Sequence, residues 1–132
     1  CAIAAAVLGA ESAVACDSDP CALDAVRANA LLNGVGVETC LTLDSLSRDF
    51  DVVFAADVLY DLENLGFLEK FLAMGKEVLL ADARVKRIGR EEYRKVAERR
   101  AVTLPDLGES EEFSRVDIYH AGRGDSSWTV PG

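Results

Sequence analysis

"AVACDSDPCALDAVRANALLNGVGV", residues 13–37, contains a strand, a turn and a helix in succession. The apolar run from Ser12 to Cys16 reads as a short strand that delivers Asp17 at its tip. Asp19-Pro20 then starts a helix: the Asp side chain can accept from first-turn amides, and proline suits a position whose N–H would have no helical partner. Leu23, Val26, Ala30 and Leu31 fall on one predicted face, and Asn33-Gly34 closes the helix. In an open α/β sheet, ligands lie outside the carboxyl ends of the strands, which is where Asp17 falls. A carboxylate there offers two acceptor oxygens to the adjacent hydroxyls of a ribose. Asp17 is therefore expected to bind an adenosine cofactor, with capping of the following helix as its other reading, while Asp19 acts as the cap.

The same alternation continues on both sides of this unit. Ala2 to Leu8 is Ala-rich and predicts a helix capped by Gly9. Val37 to Leu43 reads as a strand that stops at "DSLSRD" and leaves Asp44 at its end. "FDVVFAA", residues 50–56, is a continuous apolar run of the kind buried on both faces in parallel sheets, and Asp57 follows it. Leu65, Leu68, Phe71 and Leu72 recur at helical spacing between Leu62 and Met74, with Gly75 as cap, and "EVLLADA" gives another buried strand. Strand and helix alternate, so the fold class is α/β. Beyond Arg84 the pattern loosens. "REEYRKVAERR" (90–100) predicts a charged exposed helix, "AVTLPDL" (101–107) a strand, and "EEFSRVDIYHAG" (111–122) a last strand. A domain over 1–121 with a tail over 122–132 follows.

The 132 residues are half hydrophobic and carry a net charge of −9, which suits one globular core and argues against a nucleic-acid backbone as partner. Cys1, Cys16, Cys21 and Cys40 have neither metal-site spacing nor the density of a disulfide scaffold. They read as reduced thiols of a cytoplasmic protein, or of a mitochondrial-matrix one in a eukaryote. "CAIAAAVLGA" is too short to span a bilayer and has no charged leader, so no membrane is expected. A start at Cys rather than Met reads as a fragment or a processed chain. His120 stands alone on its predicted strand and reads as a core or solvated histidine; "RGD" at 123–125 reads as a chance tripeptide.

Residues 3–37 resemble the segment just after the glycine-rich loop in class I S-adenosylmethionine-dependent methyltransferases, particularly the group around ribosomal protein L11 methyltransferase. "FDVVFAADVLYD", with Asp-x-x-Tyr at Asp57 to Tyr60, is similar to the lysine methyltransferases that include the electron-transfer-flavoprotein beta-subunit enzyme. The resemblance covers residues 1–84. It implies a Rossmann-like open sheet, mostly parallel with an antiparallel last strand, in the order 3-2-1-4-5-7-6. It also implies an N-terminally truncated chain, without the first strand and the glycine loop that would precede Ile3. By the same resemblance Asp17 and Ser18 meet the ribose, Asp44 and the Ser45 amide meet the adenine, Ala56 lines the amino-acid end of S-adenosylmethionine, and Asp57 and Tyr60 border the methyl group and its acceptor. Tyr60 has packing under the following helix as its other reading.

The implied activity is methyl transfer to an amine, a protein lysine first and a nicotinamide-type small molecule second. "ADAR" at 81–84 departs from the Asp-Pro-Gly-Arg of the lysine-modifying relatives, and the Asn-Pro-Pro-Tyr motif of amide and nucleobase amino methyltransferases has Asp57-Val58-Leu59-Tyr60 in its place. A non-catalytic interaction module of the same fold is a further alternative. A receiver-like signalling domain would need an acidic pair after the first strand and a late lysine, and "VLLADARVK" does not supply them. A nicotinamide-dinucleotide dehydrogenase would share the ribose-binding acid but not the Asp-x-x-Tyr.

Overall fold

The computed structural model describes residues 1–47, 49–59, 62–85, 88–102, 110 and 114–122, without the side chains of Leu62 and Glu63. Its residues group into two compact units, Cys1–Arg48 and Asp49–Gly132, and each is described by itself. The strand expected over 101–107, the tail with its RGD and Tyr60 lie largely or wholly outside the described residues.

The first unit runs α1 (Ala2–Val7), β1 (Val14–Cys16), α2 (Pro20–Leu32) and β2 (Glu38–Cys40), followed by a single 3-10 turn over Leu43–Ser45. β1 and β2 pair in parallel, with Val14 opposite Glu38 and Cys16 opposite Cys40. Both helices end in the same way. Gly9 and Gly34 take positive φ (96° and 66°), a conformation that costs a residue without Cβ little. The next amides then reach back, Ala10 N–H to the Ala5 carbonyl (3.0 Å) and Val35 N–H to the Ala30 carbonyl (3.1 Å), satisfying acceptors that the helix end leaves over. At the start of α2, Asp19 accepts from the Cys21 amide at 2.8 Å, with Pro20 at the first helical position, as expected.

Leu23 and Ala30 of α2 are buried, but Leu31 is 81% exposed and does not belong to the apolar face. At 3.6 residues per turn it points about 80° away from Leu23, whereas Ala30 lies within about 20°. β2 is shorter than the expected 37–43 because β1 offers it three residues to pair with and the chain turns at Thr42.

The second unit contains β3 (Phe50–Ala56), a 3-10 turn (Leu62–Gly66), α3 (Phe67–Met74), β4 (Gly75–Asp82), β5 (Arg94–Arg100) and β6 (Arg115–Gly122). The sheet order is β3-β4-β6-β5. β3 and β4 are parallel, and β6 runs antiparallel to both its neighbours. α3 packs against β4, burying Leu68 and Phe71, while Val78 and Leu80 of β4 are fully enclosed. Tyr93 donates its hydroxyl to the Leu68 carbonyl at 2.8 Å, and burial pushes that phenol up to about 12.

Four expectations change here. Residues 90–100 are not a helix. A turn leads into β5, whose charges pair sideways on β6 and within the strand: Lys95 with Asp117 at 2.7 Å, Glu98 with Arg115 at 2.5 Å. The Glu, Lys and Arg content favours a helix by only tenths of a kcal/mol per residue, about the scale of such cross-strand pairs, so tertiary context decides. The helix expected over 62–74 starts only at Phe67, after the 3-10 turn.

β3 is not buried on both faces. It is the edge of its sheet, only Ala55 is buried, and Phe54 is 50% exposed. His120 is a core residue, but it has a partner: its Nε2 lies 2.5 Å from Glu77 Oε2, and the glycine at 122, opposite Glu77, leaves room for that carboxylate.

Gly75 caps α3 as expected, with its N–H on the Phe71 carbonyl, and in extended conformation it also opens β4. A Cβ there would sit 2.8 Å from Val53 Cγ2 and 2.9 Å from the Glu77 carbonyl oxygen. Gly75→Ala should therefore destabilise the protein by about 1–3 kcal/mol through overpacking. Urea unfolding reads this directly; an unchanged midpoint would mean that β3 and β4 are not so closely apposed.

Candidate functional site: carboxylates at the strand tips

In the first unit, Asp17 follows the last paired residue of β1, and its N–H extends the ladder to the Cys40 carbonyl at 3.2 Å. Its Oδ1 accepts the Asp19 amide at 2.9 Å, so the side chain holds the turn before α2, while the helix cap itself is Asp19. Oδ2 has no hydrogen bond among the described residues, and a carboxylate oxygen can accept two. Asp17 and Ser18 are exposed, which leaves room for a ligand hydroxyl at this tip.

Asp44 sits exposed in the 3-10 turn that follows β2, the strand beside β1, so both acids lie past the carboxyl ends of paired parallel strands. The Ser45 amide is turned to the Thr42 carbonyl at 3.3 Å, and its hydroxyl donates to the same oxygen at 2.7 Å. That amide belongs to its own turn and is not turned outward.

In the second unit Ala56 forms the last β3 rung, opposite Ala81. Asp57 follows in left-handed conformation (φ 52°), with its N–H on the Ala81 carbonyl at 2.9 Å. Asp tolerates this region better than most residues, and it redirects the chain sharply away from the sheet. The Asp57 side chain is exposed. Beyond it the loop is tied down from two directions. Leu59 is buried and gives its N–H to Asp82 Oδ2 at 3.3 Å, while Asn64 donates its side-chain amide to the Val58 carbonyl at 2.9 Å.

Asp82 is the residue that the sequence reading did not single out. It ends β4, is 2% exposed, and also accepts the Arg84 and Val85 amides on Oδ1, both at 2.8 Å. One buried carboxylate thus joins the loop after β3 to the loop after β4. The available signal was an acid ending the apolar run "EVLLAD", a position where a charge persists only if it is hydrogen-bonded.

Among the described residues no group of His, Cys, Asp or Glu could hold a metal ion, and no helix is long and apolar enough to cross a membrane. The family model for ribosomal protein L11 methyltransferase (PrmA) matches residues 1–73, more than half of the chain. The chain belongs to the PrmA family. None of the curated proteins matches it.

This PrmA-family chain has the class I methyltransferase fold, and solved structures share it. Thermoplasma acidophilum 1320 aligns with a TM-score of 0.65 at 16% identity over 95% of this chain and 73% of that one. TehB from Haemophilus influenzae aligns at 0.61 and 9% identity over 90% of this chain, which spans 52% of TehB. The N-methyltransferase NodS from Bradyrhizobium japonicum WM9 aligns at 0.55 and 18% identity, covering 86% and 75%. At these identities the likeness is one of fold. Against the order 3-2-1-4-5-7-6, β2-β1 matches the run 3-2, and β3-β4-β6-β5 matches the run 4-5-7-6.

Proposed function

We propose that the protein is an S-adenosylmethionine-dependent N-methyltransferase whose acceptor is a lysine side chain of another protein. The observation that carries this reading, within a methyltransferase family, is Asp17: a strand-tip carboxylate with one oxygen holding its own turn and the other open to a ribose hydroxyl. Ser18 and Asp44 border the same end of the first unit's sheet, Asp44 being suited to accept from an adenine amino group. The S-adenosylmethionine sulfonium, when bound, supplies a methyl group open to attack by a neutral amine. Ala56 and Asp57, at the tip of β3, are assigned to the amino-acid end and the acceptor.

The exposed Asp57 carboxylate can attract a lysine ammonium and, once that ammonium has lost a proton to water, accept a hydrogen bond from the neutral nitrogen that attacks. Tyr60, in the sequence three residues on, is assigned to bordering the methyl group and its acceptor, where its hydroxyl can hydrogen-bond the acceptor nitrogen. Such positioning is the main task of a methyltransferase side chain, because reaction needs the attacking nitrogen in line and dehydrated. An acidic chain of net charge −9 suits a cationic acceptor in the cytoplasm better than a nucleic acid.

Incubation with methyl-tritiated S-adenosylmethionine and a soluble protein extract, followed by acid hydrolysis, should place the label in methyllysine. Label only in a small pyridinium compound would replace the acceptor assignment. With the acceptor in hand, Tyr60→Phe should keep cofactor affinity within about twofold and lower kcat, the pattern of a group that acts in the transition state. Unchanged kcat with a lower melting temperature would make Tyr60 a packing residue.

A further inference from the structure

Two cysteines stand side by side at the strand tips of the first unit. Cys16 ends β1 and Cys40 ends β2, and the parallel register sets them directly opposite each other. Opposed residues leave a sheet on the same face. Here it is the face away from α2, because Thr39, the residue before Cys40, is tied to that helix by Arg27 at 2.7 Å. Cys16 is exposed, Cys40 is half-buried, and both are free thiols joined by a side-chain hydrogen bond. Loss of water at the sulfur first, then that hydrogen bond and charge on Cys40, push the Cys16 thiol up to about 12. Cys16 is thus the member that keeps its proton, and the Cys40 sulfur is the one left to attack an electrophile.

Strands in a sheet lie about 4.7–4.9 Å apart, inside the Cα separation of about 4.4–6.8 Å that a disulfide bridges. A disulfide holds its two Cβ atoms about 3.8 Å apart, so closing this one would draw the strand tips together by about 1 Å. The backbone that must follow is that of Asp17. It comes directly after Cys16, gives its N–H to the Cys40 carbonyl at 3.2 Å, and holds the Asp19 amide on Oδ1 at 2.9 Å. The carboxylate assigned to the ribose is therefore joined to the atoms that move.

We propose that Cys16 and Cys40 are a redox-modification site: a peroxide oxidises the pair to a disulfide, which displaces Asp17 and lowers the affinity for S-adenosylmethionine. The effect on binding rests on the proposed ribose contact of Asp17. In the first step the Cys40 sulfur attacks one peroxide oxygen and the O–O bond breaks. The other oxygen leaves as water with the thiol proton, and Cys40 is a sulfenic acid. The Cys16 sulfur then attacks the Cys40 sulfur, the S–O bond breaks, and the hydroxyl leaves with the Cys16 proton as a second water. Each sulfur has lost one electron and each peroxide oxygen has gained one. A thiol reductant reverses the change by exchange.

The test treats the full protein with hydrogen peroxide, blocks the remaining thiols with N-ethylmaleimide and maps linkages by mass spectrometry. Affinity for S-adenosylhomocysteine is measured by calorimetry before and after. A Cys16–Cys40 linkage and an affinity loss of about tenfold, the scale of a lost charged hydrogen bond, are expected, both reversed by dithiothreitol. Cys16→Ser and Cys40→Ser should bind as the reduced parent does and keep that affinity after peroxide, whereas Cys21→Ser should respond as the parent does. Sulfinic acids, or linkages to other cysteines in place of Cys16–Cys40, would overturn the site. A Cys16–Cys40 linkage with unchanged affinity would overturn its effect on Asp17. If the linkage forms but the reduced protein binds no S-adenosylhomocysteine, the redox pair stands, and the cofactor reading falls together with the control of binding.

Discussion

Asp82→Ala is expected to lower the stability of the second unit by about 3–5 kcal/mol, because it strips the acceptor from three backbone amides at once. Those amides, of Leu59, Arg84 and Val85, lie in buried or half-buried surroundings, and alanine leaves a cavity in place of the carboxylate. A hydrogen bond to an ionised group is worth roughly 1.5–3 kcal/mol, and an orphaned buried donor costs about 1–3 kcal/mol. Asp82→Asn separates the two ends of the bridge. Its amide oxygen can still serve Arg84 and Val85, but the NH2 then meets the Leu59 N–H donor to donor. That variant should therefore lose less stability while speeding hydrogen exchange at Leu59 more than at Arg84 and Val85. If Asp82→Ala unfolds in urea within about 1 kcal/mol of the parent, the carboxylate does not hold the two loops together.

Asp17→Ala should weaken S-adenosylmethionine binding by about 1.5–3 kcal/mol, roughly tenfold or more, the worth of hydrogen bonds to a charged group. The structure adds a control. Because Oδ1 also accepts the Asp19 amide, part of any loss could come from a loosened turn and not from the missing ribose contact. Asp17→Asn retains an oxygen for the Asp19 amide and removes only the charge. It should keep the parent's melting temperature and still bind several-fold more weakly. Asp44→Ala should cost less than Asp17→Ala, since an adenine ring is held by apolar contact as well as by its amino group. Calorimetric titration showing equal affinities for Asp17→Ala and the parent would end the ribose assignment.

The first half of the chain was largely legible because its signals are local. Asp19-Pro20 and the glycines at 9 and 34 act through the backbone within a few residues, and each appears where the sequence places it. β3 was read to the residue from an apolar run, yet its exposure was not, since burial depends on what lies beside a strand and not on the strand itself. β5 escaped for a different reason. "RKVAERR" has too few apolar residues for a period to show, and the pairs that make it a strand lie across the sheet on Asp117 and Arg115.

The acids at 17, 44 and 57 were legible as strand tips. Asp82 was not, because the partners that let an acid close the apolar strand "EVLLAD" are backbone amides of two loops, which no local pattern marks. The Glu77 partner of His120 is 43 residues away in sequence and could not be seen from it.

The most direct test is a crystal structure of the full protein with S-adenosylhomocysteine, which keeps the adenosine and lacks only the transferred methyl. Ribose hydroxyls are expected on the Asp17 carboxylate, within about 2.5–2.7 Å as for hydroxyl-to-carboxylate hydrogen bonds, and the adenine amino group facing Asp44. A nucleoside bound away from the tips of β1 and β2 would contradict this placement.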